Sequence, residues 1–145
     1  MVLEILATLC AGIFAGAALY ISAVEHPARL ACGTALALQE FGPSYRRATV
    51  MQVPLAVIGF VAAVGAWWRA ATVGFLLGGL LLGAVVPFTL LVILPTNRRL
   101  LAPSLDPESA EAATLLMRWG RLHAIRSLSG MVAFGVFVLS LAEVS

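Results

Sequence analysis

Residues 72–94 read Thr72-Val-Gly-Phe-Leu-Leu-Gly-Gly-Leu-Leu-Leu-Gly-Ala-Val-Val-Pro-Phe-Thr-Leu-Leu-Val-Ile-Leu94, without one charged side chain. A helix needs about 20 residues to cross a hydrocarbon core of about 30 Å, and this run supplies them. Three more stretches pass the same test, near Leu3–Val24, Met51–Trp68 and Leu122–Leu141. The 145-residue chain is 61% hydrophobic and 11% charged, with a mean hydropathy of +1.02. A soluble domain of this length leaves too much surface exposed to hide so much apolar area. The alternating pattern of a membrane barrel is absent. The expected fold is therefore all-α, an integral membrane four-helix bundle with short amphipathic cytoplasmic segments, forming one transmembrane domain over residues 1–145. Leu3–Val24 reads as a retained helix, because Glu4 is its only early charge and its apolar run is too long for a cleaved leader.

The nine basic residues are all arginines, and following the chain through its four spans puts eight on one rim. Arg29, Arg46, Arg47, Arg98, Arg99, Arg118, Arg121 and Arg126 share that side with both histidines, and Arg69 stands alone on the other. In loops this short the positive-inside rule makes the arginine-rich rim cytoplasmic and both termini extracytoplasmic, as in a bacterial inner membrane. A topology reporter at Ser145 reads this directly. Trp67 and Trp68 then anchor the outer interface. With no lysine and no RNA-binding signature, anionic headgroups explain the arginines better than nucleic acid does. Cys10 and Cys32 fall near opposite faces of the bilayer, too far apart to pair.

Small residues punctuate the helices. Gly12 and Gly16 form a small-xxx-small pair, and Gly74, Gly78, Gly79 and Gly83 follow in the third span. Such positions let helices approach closely, within one chain or between copies in a homo-oligomer. At about 100° per residue, Gly12, Gly16, Leu19, Ala23 and His26 share an arc that aims His26 into the bundle, with Glu25 pointing away. Thr8, Tyr20 and Ser22 are expected to be satisfied inside the bundle. Ala28–Phe41 reads as an extension of the first helix or an interfacial helix, ended by Gly42-Pro43. Pro87 is expected to kink the third helix and Pro95 to end it. Asp106-Pro107-Glu108 gives a helix start, an N-cap followed by proline and an acid. That helix is expected to run through Trp119, bend at Gly120 and continue into the fourth span. On it Trp119, His123, Ser127, Gly130, Phe134 and Phe137 share a face.

The candidate site is the set His26, Asn97, His123 and Arg126, with Glu25 and Trp119 beside it. Ionisable groups at membrane depth are costly and face the interior or a wet cavity. Two converging imidazoles can act as general base and acid, or bind a metal, with Glu25 as a weaker third ligand. Each residue also has a plainer reading. The histidines can be headgroup-level residues, Asn97 a cap for the third helix, Arg98 and Arg99 topology and lipid contacts, and Trp119 an interfacial aromatic. No nucleophile elbow, zinc-protease helix or phosphate-binding loop is present.

Three short motifs carry a resemblance: Val24-Glu25-His26-Pro27, Leu94-Pro95-Thr96-Asn97-Arg98-Arg99-Leu100, and Trp119-Gly120-Arg121-Leu122-His123-Ala124-Ile125-Arg126. Together with the length and the four-helix layout, they make the chain resemble the anthrone-oxygenase-like integral membrane family. The resemblance implies an oxygen-dependent oxidoreductase acting on an apolar aromatic or quinol-like small molecule, as fungal members oxidise an anthrone to an anthraquinone with molecular oxygen. It carries His26, Asn97, His123 and Arg126 over as site residues. Two routes stay open. A histidine can remove the acidic carbon-bound proton with oxygen as co-substrate and no cofactor, Arg126 and Asn97 stabilising the anion. Alternatively, a histidine-bound copper, iron or haem can activate oxygen. Against both stands a non-enzymatic accessory or scaffold subunit that packs through its glycine faces. A carrier or channel ranks last, since no charge lies mid-membrane to mark a path.

Overall fold

The computed structural model of the protein describes residues 1–144, and Ser145 lies outside them. Four long helices account for most of the chain: α1 (Val2–Ala31), α2 (Thr34–Ala70), α3 (Val73–Leu100) and α4 (Ala110–Val144). Among the described residues there is no strand. All four helices are long and apolar enough to cross a membrane, which fits an integral membrane protein. They run up and down, and each packs on the next around a square, with α4 closing on α1. Large apolar side chains point outward, Leu91 at 77% and Leu139 at 69% exposure, while the inside is filled by alanines, glycines and phenylalanines. Such an inside-out distribution suits lipid as the outer solvent, where close packing of small residues holds helices together.

The glycines are used within the chain. The Phe14 ring lies on Gly130 and the Phe134 ring on Gly12, locking α1 to α4 reciprocally, and Phe137 covers Gly78 on α3 in the same way. Gly16 has nothing beside it. The core has two halves. Phe14, Phe75, Leu82 and Phe137 fill the half nearest the termini, and Phe41, Ile93, Leu116 and Trp119 fill the half nearest the arginine-rich rim.

Several boundaries differ from the sequence reading, each for a local reason. Gly42-Pro43 does not end a helix. The break falls at Cys32-Gly33, where Gly33 adopts φ +92°, a conformation glycine takes without strain. From Thr34 the helix then runs unbroken to Ala70 through both Pro43 and Pro54. Pro95 does not end α3, which continues to Leu100. The helix start expected at Asp106 lies at Ser109, whose hydroxyl accepts the Ala112 N–H at 3.1 Å. Asp106 instead forms a local turn, its carboxylate accepting the Glu108 N–H at 3.0 Å. Arg99 is held by Glu111 in a forked ion pair at 2.6 and 2.8 Å, tying the end of α3 to the start of α4. Helix α4 is continuous through Gly120.

Two wide turns matter most for the site. Ile21–Glu25 in α1 and Thr89–Ile93 in α3 are π-helical. The His26 N–H reaches back to Ile21 O, and the Leu94 N–H to Thr89 O. Each π turn is followed two residues later by a proline, Pro27 and Pro95. A proline ring collides with the carbonyl four residues before it and offers that carbonyl no N–H. Those carbonyls belong to Ala23 and Leu91, at the centre of each π turn. Widening the turn relieves the clash without breaking the helix.

The π turn in α1 also changes which residues face inward. Ala7, Ala11, Phe14, Ala18 and Ile21 form the buried face, and ordinary helical spacing would place Glu25 next. The inserted residue puts His26 and Arg29 there instead, 5% and 7% exposed. His26 does point inward, but not along the arc drawn from the sequence, since Gly16, Leu19 and Ala23 face outward. Thr8 and Ser22 are bonded inside the bundle, whereas Tyr20 is 55% exposed.

Candidate functional site

Where the two halves of the core meet lies a cavity of about 110 Å³, walled by Ile21, Phe41, Ala56, Val85, Ile93 and Trp119 among others. All four helices contribute. Three of the four residues singled out from the sequence reach its wall: Asn97 from α3, and His123 and Arg126 from α4. The fourth, His26, stands behind. Its ring packs on Trp119 with centroids 5.0 Å apart, and Trp119 stacks on His123 at 4.7 Å. Trp119 is 5% exposed, so it is a wall of the site and no interfacial aromatic. Phe41 meets it edge-on at 5.2 Å.

Gly120 explains how His26 fits. A Cβ added there would lie 2.5 Å from His26 Nε2 and 2.7 Å from Cδ2, so only glycine leaves room for the imidazole. Gly120→Ala is therefore expected to displace His26, loosen Trp119 and destabilise the protein by about 1–3 kcal/mol, as overpacking a core does, which lowers the thermal midpoint. Thermal unfolding in detergent checks it, and an unchanged midpoint would show that His26 is not held as described.

His123 is fixed by two serines that the sequence reading left without a role. Ser22 Oγ lies 2.9 Å from His123 Nδ1 and 2.8 Å from Ser127 Oγ. Ser127 donates to the backbone carbonyl of Ala18 or of His123, each at 3.0 Å. One chain of donors satisfies all three side chains: His123 Nδ1–H to Ser22, Ser22 to Ser127, Ser127 to Ala18 O. In that arrangement Nε2 is unprotonated and free to accept a proton. Ser22 sits in the π turn of α1, so the insertion that turns His26 inward also presents Ser22 to α4.

Two further polar side chains on the wall lack partners, Asn97 and Arg126. Asn97 is fully buried, and neither its amide nitrogen nor its oxygen is hydrogen-bonded. It does not cap α3. The Arg126 guanidinium lies over the Phe14 ring at 5.0 Å, its Nε without a partner and no carboxylate within salt-bridge reach among the described residues. Buried polar atoms are nearly always paired, so the Asn97 amide and Arg126 Nε, both unpaired on a single cavity, mark a place built for a guest. Arg29, counted in the sequence only toward topology, is also buried and on the wall. It pairs with Glu25, with Glu40 at 2.7 Å and with Ser44 at 3.1 Å.

A metal fits these residues poorly. Glu25, the weaker third ligand, is taken by Arg29 and Ser44. Among the described residues no three histidine, cysteine, aspartate or glutamate side chains converge, and His123 Nδ1 is engaged by serine. The two cysteines are unpaired, Cys10 buried and Cys32 exposed.

Fold and site together define a class: a four-helix membrane bundle that buries a polar-edged, otherwise apolar cavity near one rim. The sequence profile described as anthrone oxygenase matches residues 41–136, and the chain belongs to that family. The match includes Asn97, His123 and Arg126 and begins downstream of His26. The chain is also similar to the anthrone oxygenase tpcL of Aspergillus fumigatus, 48% identical over 48 residues, which are 31% of this chain and 30% of that protein. No solved structure matches.

Proposed function

We propose that the protein is a membrane-embedded oxygenase that oxidises an apolar aromatic molecule of the anthrone type with molecular oxygen, using His123 as its base. What carries this reading is one arrangement: a serine-held imidazole, an unpartnered amide and a guanidinium with no carboxylate partner converge on one largely apolar cavity. Family membership supports the oxygenase class.

The balanced chemistry needs no external reductant. His123 Nε2 takes a proton from the substrate's acidic CH₂ carbon. The resulting anion, its charge on the ring oxygen, is stabilised by Arg126 and the Asn97 amide in a site that excludes water. The electron-rich carbon bonds to O₂, and the peroxide is protonated by the imidazolium. Loss of water then leaves a carbonyl where the CH₂ stood, so one oxygen atom enters the product and the other leaves as water. His26 steadies Trp119, which carries His123 on its face.

The scaffold reading draws less support, because the glycine faces it rests on are filled by this chain's own rings at Gly12, Gly78 and Gly130. Protein reconstituted in vesicles with anthrone is expected to consume one O₂ per molecule oxidised without added reductant. Absence of uptake above the protein-free rate would favour the scaffold.

A further inference from the structure

Two sides of the cavity lead outward, and they differ in kind. Toward the arginine-rich rim it is closed by the buried Arg29, paired with Glu25 and Glu40 and bonded to Ser44. Parting this wall would strip a buried guanidinium of its two carboxylates and a serine hydroxyl, so it does not part readily. Between α2 and α3 the wall is apolar and reaches the lipid face, since Val53 and Leu90, 39% and 56% exposed, both line the cavity. A groove along the same seam, walled by Phe60, Leu80 and Gly83, shares Ala56 and Val86 with the cavity. Cavity and groove thus adjoin at Ala56 and Val86, which stand between them.

Volume adds a constraint. An apolar cavity of about 150 Å³ holds benzene, and this one is about 110 Å³. A guest of several fused rings cannot enter unless two helices separate, and the α2–α3 seam carries none of the side-chain bonds that join α1 to α4, α3 to α4 and α1 to α2.

Resting on the oxygenase reading for what the guest becomes, we infer that the α2–α3 seam is a lateral gate through which the apolar substrate passes from the bilayer into the site. Phe60 packed on Gly83 is its latch. The enzyme would then draw on molecules dissolved in lipid, and its substrate class is set by partition into the membrane as much as by the site.

A covalent latch tests this. A Cβ at Gly83 would lie 3.0 Å from Phe60 Cγ, which brings the two Cβ positions within reach of a disulfide. Phe60→Cys/Gly83→Cys is made with Cys10→Ala, Cys32→Ser, Trp67→Phe and Trp68→Phe, so that Trp119 is the sole tryptophan and is excited selectively over the tyrosines. Bromobenzene, a contact quencher, is added to phosphatidylcholine vesicles holding the protein. Quenching of Trp119 is expected in the reduced form, to fall at least fivefold on oxidation and to return with reductant. A control pair across α3 and α4, Gly74→Cys/Ser140→Cys, is expected to leave quenching unchanged on oxidation. Should the latch pair fold poorly, Ala56→Leu fills the neck and is expected to reduce quenching likewise. Equal quenching in oxidised and reduced latch protein overturns the gate. A loss in the control pair as large as in the latch pair also overturns it, since bundle rigidity then explains both. The readout involves no turnover, so failure of the gate and failure of the oxygenase reading are separable.

Discussion

His123→Ala lowers the oxidation of anthrone by about 10²- to 10⁴-fold, the range a positioned general base contributes, and leaves KM within about threefold. The reasoning runs through geometry. His123 is held at Nδ1 by Ser22 and backed by Trp119, so its ring is oriented before substrate arrives. The apolar walls that would bind the rings are Phe41, Ile93, Ala56 and Val85, none of which depends on the imidazole. Binding should survive while proton removal does not. His123→Gln retains a polar group of similar reach and should be equally inactive, separating loss of the base from loss of packing. Oxygen uptake with anthrone measures both variants, and turnover within threefold of wild type would remove His123 from the mechanism.

Asn97→Leu should move stability and activity in opposite directions. The amide is fully buried with neither polar atom bonded, a condition that costs about 1–3 kcal/mol. Leucine has the same branched shape and no polar atoms, and the cavity beside it takes its extra bulk, so the variant should be more stable by a similar amount. If Asn97 donates to the substrate anion, its loss should also slow turnover by about 10²- to 10³-fold, as removal of one such donor does elsewhere. A residue present for packing would show neither a stability gain nor this loss of rate. Thermal unfolding and initial rates on one preparation decide it, and a less stable variant with normal rates would mean that Asn97 has an unrecognised partner.

Uninterrupted apolar length made the four spans legible in the sequence, and the segregation of arginines made one rim stand out. Asn97, His123 and Arg126 were legible because polar groups at that depth require a reason. What escaped depends on contacts between distant parts of the chain. Ser22 meets His123 and Ser127 across separations of 101 and 105 residues, and no local pattern announces such a pair. The π turns are not legible in the sequence because a constant ~100° per residue holds up to His26 in the first helix, and Pro95 reads as the end of the third. A proline inside a helical run is not a sufficient signal either, since Pro43 and Pro54 lie in helix α2 without a π turn. Arg29 was counted as a surface charge because its burial follows from the same inserted residue.

Mixing the protein with anthrone in vesicles from which oxygen has been removed tests the central claim most directly. With no oxidant the reaction stops after proton transfer, and the visible absorption of the anthrone anion reports the occupancy of that state. Wild-type protein is expected to generate anion in proportion to its own concentration, and His123→Gln to generate none above the protein-free vesicles. Equal anion in both, or none in the wild type under conditions where it oxidises anthrone once air is admitted, would contradict the assignment of His123 as the base.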